Sequence, residues 1–136
     1  MQQLGRCPVI KRIDHVVVAV RDLEAGIQAW QRALGLGEPS RRSTDSRVGY
    51  TAAAFDLPGG GFLELIQPID SSGPVARRLE RSGEGVYLVA LAVEDLGSAV
   101  AQLRQRGVEV IEDGGQVFIH PRATNGVLFQ LVQRAG

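Results

Sequence analysis

Two side chains in this sequence of 136 residues combine reactive types with unusual settings. His15 interrupts the apolar run from Ile13 to Val20, and Glu64 sits between Leu63 and Leu65. An imidazole and a carboxylate set in apolar text can ligate a cation, pair with each other, or move protons at a bound substrate. An inward carboxylate with neither metal nor partner is costly to bury, so Glu64 reads as functional. His15 reads equally as a ligand and as a strand histidine satisfied by Glu64. His120, in a His-Pro turn, reads as structural. Tyr87 reads as core or helix-facing. Arg41, Arg42 and Arg47, and the Arg77/Arg78/Arg81 cluster, read as solvated faces with only a weak signal for phosphate contacts. No glycine-rich phosphate loop and no nucleophile–base pair accompanies them.

The elements that hold these side chains come from a repeat. Residues 12–37, RIDHVVVAVRDLEAGIQAWQRALGLG, match residues 86–107, VYLVALAVEDLGSAVAQLRQRG, at an offset of 73 (88 − 15). Val16 meets Val89, Val20 meets Val93, Asp22 meets Asp95, and Ile27 meets Val100. A repeated unit needs its copy to bury one face, so the duplication outranks any local reading. In the first copy Ile13 to Val20 is a strand, Asp22 a helix cap, and Leu23, Ile27, Trp30 and Leu34 one apolar stripe ended by Gly35 and Gly37. Trp30 is expected to be largely buried.

Further along, residues 39–46 read as a loop or short exposed strand, and 48–57 and 62–67 as strands around a Pro-Gly turn. Pro74 opens a short helix. After the second copy, strands are expected near 108–111, 117–120 and 127–132. The fold class is therefore α+β: two βαβββ modules forming a cupped mixed sheet with helices on the outer face. The helices claim Val16, Val18 and Val20 with Val89, Leu91 and Val93, so the opposite face carries His15 and Leu88. The closing strands align as FLELIQ on LFQLVQ, which matches Glu64 with Gln130. His15, Glu64, Leu88 and Gln130 are thus four pseudo-symmetric positions facing one cup.

Composition narrows the class. Hydrophobic residues make up 44%, charged residues 22%, and Lys+Arg equals Asp+Glu at 15. That balance indicates neither disorder nor a nucleic-acid partner. The length suits a single domain over 1–136, with modules at about 12–67 and 86–133 and a linker at 68–85. Cys7 is the single cysteine, which excludes an internal disulfide and points to a reducing compartment. No apolar run approaches the roughly 20 residues of a membrane span, and no signal-peptide core is seen, so a cytoplasmic protein with no membrane partner is expected. Short exposed strands favour a symmetric homodimer.

The stretches IDHVVVAVRDLEAGIQAW, ELIQP, GPVARRLERSGEGV and FIHPRATNGVLFQLV carry a family likeness. They resemble the vicinal-oxygen-chelate superfamily of glyoxalases, ring-cleaving dioxygenases and bleomycin-resistance proteins, and within it the methylmalonyl-CoA epimerases most. The resemblance covers nearly all the chain past Arg12. It implies one divalent cation (Co, Ni, Mn, Zn or Mg) held at the four cup positions by His, Glu or Gln, His, and Glu. Here the metal set would be His15, Glu64 and Gln130, with Leu88 at the second His position. Leucine has no lone pair and a glutamine oxygen is neutral, so metal is expected to be weak or absent.

The resemblance also implies proton removal beside a thioester, by one carboxylate from the loop before the second strand and one from the closing strand. Asp45 is the acid near the first position, and Gln130 occupies the second. The catalytic candidates are Glu64 and Asp45, and the expected partner is a small-molecule ligand of the acyl-CoA class. An isomerase or epimerase-like protein with incomplete metal ligands is the leading expectation. A metal-free small-molecule binding or resistance protein is the alternative, and a glyoxalase-type lyase the third.

Overall fold

The structure, a computed structural model, describes residues 9–135. Cys7 lies outside the described residues. The first element is strand β1 (Ile10–Ala19). There follow α1 (Leu23–Leu34), β2 (Arg41–Asp45), β3 (Tyr50–Asp56), β4 (Phe62–Pro68) and α2 (Pro74–Ser82). The second half runs β5 (Gly85–Val93), α3 (Leu96–Gln105), β6 (Val110–Asp113), β7 (Gln116–Ile119), a 3-10 turn (Pro121–Thr124) and β8 (Phe129–Gln133). Each half is βαβββ, and the chain is α+β. No helix among the described residues is long and apolar enough to cross a membrane.

Two compact units emerge. One is His15–Val89; the other joins the described residues up to Asp14 with those from Ala90 onward. The linker with α2 therefore packs with the first half. In the His15–Val89 unit the strand order includes β2-β3-β4-β1. Strands β1 and β4 run parallel, while β2–β3 and β3–β4 are antiparallel, so the pairing is mixed.

Helix α1 starts where Asp22 accepts the Ala25 N–H at 3.1 Å. It stops at Gly35, whose φ of 70° carries no Cβ penalty there. Its apolar stripe buries Leu23 and Ile27 against Val20, Ala53, Phe55 and Leu65, with Val18 and Trp30 packed alongside. One expectation is corrected here. Leu34, the last residue of the stripe, is 55% exposed. Trp30 is partly buried on that cluster, its ring tilted against Phe55 at 6.2 Å. Trp30→Ala is therefore expected to cost about 2 kcal/mol, below the usual cost of truncating a fully enclosed aromatic. Urea denaturation measures this, and a loss above about 4 kcal/mol would mean the indole is far better enclosed.

In the other unit the order is β5-β8-β7-β6, and α3 packs on Val93, Val117, Ile119 and Leu131. The duplication reaches down to the caps. Asp95 accepts the Ser98 N–H at 2.9 Å, as Asp22 does in the first copy. The matched Gln67 and Gln133 also each accept the first helical amide, from Leu23 at 2.7 Å and Leu96 at 2.8 Å. Those amides have no intrahelical acceptor, so the closing strand completes each helix. Strand β6 begins at Val110 rather than Val108, because the Val108 N–H still bonds to the Leu103 carbonyl at 3.0 Å.

Candidate functional site

A strand sends successive side chains to opposite faces. On β4, Leu65 packs toward α1, so Phe62, Glu64 and Ile66 project from the other face. The register extends that face across the unit. Phe62 lies between Asp56 and His15, and Glu64 between Ala54 and Val17. Arg41 is opposite Ala54, and Asp45 opposite Tyr50. His15, Glu64, Arg41, Tyr50 and Asp45 thus share the face turned away from α1.

On this face His15 is buried, and its ring stacks on Phe62 with centroids 4.1 Å apart and planes 11° from parallel. The Arg41 guanidinium lies 4.7 Å from the same ring centre. Its Nη1 donates to Asp56 at 2.6 Å. Glu64 is half-buried and, among the described residues, its carboxyl has no hydrogen bond or ion pair. Burial pushes its pKa above the ordinary value near 4.5, and the charge of Arg41 pulls the other way. Burial first, then the charges of Glu64 and Asp45, push the Tyr50 phenol up to about 12. Tyr50 is therefore a neutral donor at any physiological pH.

Asp45 has a different occupation. Its carboxylate accepts the Val48 N–H at 2.9 Å and closes the turn between β2 and β3. Strand spacing puts its Cα about 16 Å from that of Glu64, two strands across and four residues along. The two catalytic candidates share a face but not a point.

Leu88 lies on β5, where Leu91 and Val93 pack toward α3. Alternation turns Leu88 the other way, and it is 7% exposed. Gln130 lies on β8 opposite Phe118, in the unit that contains α3. Its neighbour Leu131 packs toward α3, so Gln130 turns away from that helix. A cation that keeps at least three protein ligands does not fit the residues of the His15–Val89 unit. Within that unit only His15 and Glu64 offer donors at the matched positions, and Leu88 offers methyl groups; Gln130 belongs to the other unit. Among the described residues no group of three His, Cys, Asp or Glu side chains converges.

The remaining candidates have local roles. His120 Nδ1 accepts the Arg122 N–H at 3.0 Å and caps the 3-10 turn. Arg42 pairs with Glu24 of α1 at 2.7 Å on the helix face. Arg78 donates to the carbonyls of Gly83 at 2.6 Å and Val86 at 3.1 Å, tying α2 to β5. Burial raises the Tyr87 pKa, and Arg77 and Arg81 of α2 oppose the rise. A cavity of about 420 Å³ lies in the other unit, but its Lys11 and Glu94 pair with each other at 3.0 Å. Sequence reading missed Arg41 and Tyr50. Alternation through Arg41, Ser43 and Asp45 was the available signal, once that stretch is read as a strand.

Residues 14–125 match the Glyoxalase/Bleomycin resistance protein/Dioxygenase superfamily. The chain is 30% identical over 135 residues to the ethylmalonyl-CoA/methylmalonyl-CoA epimerase of Cereibacter sphaeroides, covering 92% of this chain and 99% of that one. It is 28% identical to the crystal structure of methylmalonyl-CoA epimerase from Mycobacterium tuberculosis, with a TM-score of 0.84 over 98% of this chain and 94% of that chain. A variant of the Streptomyces coelicolor methylmalonyl-CoA epimerase, in complex with 2-nitronate-propionyl-CoA, is 29% identical. Its TM-score is 0.79, covering 93% of this chain and 99% of that one.

Proposed function

Since the chain belongs to the Glyoxalase/Bleomycin resistance protein/Dioxygenase superfamily, we propose that it acts on acyl-CoA thioesters as an epimerase-like isomerase, with Glu64 as its acid–base group. The observation that carries this reading is the Glu64 carboxyl itself. It is half-buried, unpartnered among the described residues, and its pKa is raised by burial. Glu64 would take the hydrogen on the carbon beside the thioester carbonyl. The C–H bond breaks, an O–H bond forms on Glu64, and the electron pair moves onto the carbonyl oxygen as an enolate; the enolate collapses as its α-carbon takes a proton from water on the opposite face, and Glu64 gives its proton back to solvent. The relatives' stated substrates supply the ligand class.

Incubation with methylmalonyl-CoA in D2O tests it. Proton NMR should show the α-hydrogen signal disappear faster with protein than without. Binding without any exchange would sink the isomerase and favour the second reading, a metal-free small-molecule binding protein. That reading draws on Leu88, a buried apolar side chain among the candidate positions.

A divalent cation held weakly or not at all is part of the same proposal. Leu88→His would give the His15–Val89 unit a third donor. Nickel affinity by calorimetry is expected to rise by at least the roughly 10–100-fold that even an outer-shell contact is worth. A folded variant with no gain would mean that β5 does not present this position to His15 and Glu64.

A further inference from the structure

When Glu64 takes the α-proton, the electron pair left behind collects on the thioester oxygen, and that charge needs a donor at the same point. A three-ligand cation does not fit the residues of the His15–Val89 unit, so within it the donor has to be a side chain. Most polar groups on the Glu64 face are already committed. Arg41 gives its Nη1 to Asp56 at 2.6 Å and lies over the Phe62 ring at 4.7 Å. His15 is stacked on the same ring and has a further partner. Ser43, the next residue of β2 on this face, is exposed.

Tyr50 is different. It opens β3, opposite Asp45 on β2 and Pro68 on β4. Alternation puts it on the side of Ala52, Ala54 and Glu64. Four residues along and one strand across set its Cα about 14 Å from that of Glu64. On β3 only the methyl groups of Ala52 and Ala54 lie between these two long side chains. The phenol is half-buried and, among the described residues, makes no hydrogen bond. Glu64 is felt there: after burial, its charge does most to raise the Tyr50 pKa, Asp45 and Tyr87 add to the rise, and Arg47 opposes it.

We infer that the Tyr50 hydroxyl donates a hydrogen bond to the thioester carbonyl oxygen and holds the enolate charge that forms as Glu64 removes the α-proton. The inference rests on the acyl-CoA reading above and supplies the charge stabilisation that an incomplete cation set leaves open. The phenol keeps its proton, so no bond beyond those to Glu64, the α-carbon and water is made or broken. Its hydrogen bond strengthens as the oxygen becomes anionic, which lowers the barrier more than it tightens the ground state. A carboxylate base working with a neutral phenol donor is an established way to enolise a carbonyl without a cation.

Tyr50→Phe removes the hydroxyl and nothing else. With saturating methylmalonyl-CoA in D2O, its α-proton exchange should fall about 10²–10³-fold, the usual worth of one oxyanion donor, while calorimetric affinity stays within about twofold. Tyr87→Phe, which loses the chain's other phenol, should exchange like wild type. With two tyrosines in the chain, 3-fluorotyrosine incorporated into Tyr87→Phe labels Tyr50 alone. Its fluorine resonance should shift when methylmalonyl-CoA is added. Exchange by Tyr50→Phe within about threefold of wild type overturns the inference alone. So does a loss that saturating thioester recovers, which marks a binding role, or an equal loss in Tyr87→Phe. A fluorine signal that stays put in a preparation that exchanges overturns it too. Wild type that exchanges nothing overturns the isomerase reading and this inference together. Thermal melts confirm folding, and if Tyr50→Phe does not fold, the fluorine shift decides.

Discussion

Glu64→Gln is expected to lower the rate of α-proton exchange by about 10²–10⁴-fold, the usual contribution of a positioned acid–base group. Affinity for the thioester should change little, because glutamine keeps the shape and only the proton acceptor is lost. NMR exchange rates and calorimetric affinities on the same preparations separate the two effects. A variant that exchanges as fast as wild type would remove Glu64 from the mechanism.

The same substitution has a pH signature in stability. Folding raises the Glu64 pKa above its ordinary value near 4.5, chiefly by burial. Between those two values the folded state binds more protons than the unfolded chain, so stability falls as pH rises through that window. The penalty is absent below about pH 4.5 and complete above the raised value. Glu64→Gln carries no charge and escapes it. The variant should melt higher than wild type at pH 7, and the gap should close toward pH 4. A gap that does not change with pH would mean that burial of the charge is not what raises the pKa.

Arg134→Ala is expected to destabilise the fold by about 3 kcal/mol and lower Tm by roughly 10 °C. Asp14 is 3% exposed, and Arg134 grips both of its oxygens at 3.0 Å. The mutual hydrogen bonding raises the Arg134 pKa. After truncation Asp14 keeps the longer contact with Arg12 at 3.7 Å but loses the bidentate partner. Almost all the cost falls on the buried acid, since Arg134 itself is 44% exposed. The exposed pair Arg104–Glu112, at 2.9 Å, is the control. Arg104→Ala should move stability by no more than about 0.5 kcal/mol. Equal effects at the two positions would mean that burial of Asp14 is not what makes the first pair matter.

The repeat between residues 12–37 and 86–107 determined the topology of each half, because a βα unit written twice implies the same packing twice. Local periodicity went further. It assigned Val16, Val18 and Val20 to the helix side and Glu64 to the other face, and it identified Asp22 and Asp95 as caps. It also showed Leu88 to be a poor substitute for an imidazole, which is a matter of side-chain chemistry alone.

Other features depended on which distant strand lies beside which, and at what offset. A one-residue slip of β2 against β3 would have put Arg42, not Arg41, on the face of Glu64. The text Arg41-Arg42-Ser43-Thr44-Asp45 does not contain that offset. Nor does the sequence show that Asp45 would be drawn into the turn by Val48. The stacking of His15 on Phe62 depends on β1 lying parallel to β4. The bond between Asp14 and Arg134 spans 120 residues. The tilted contact of Trp30 with Phe55 depends on β3, which the helix's own stripe cannot specify. Alternation along one strand needs only neighbouring residues and survives in the sequence. Which charges meet across strands is set by register, and register exists only once the chain has folded.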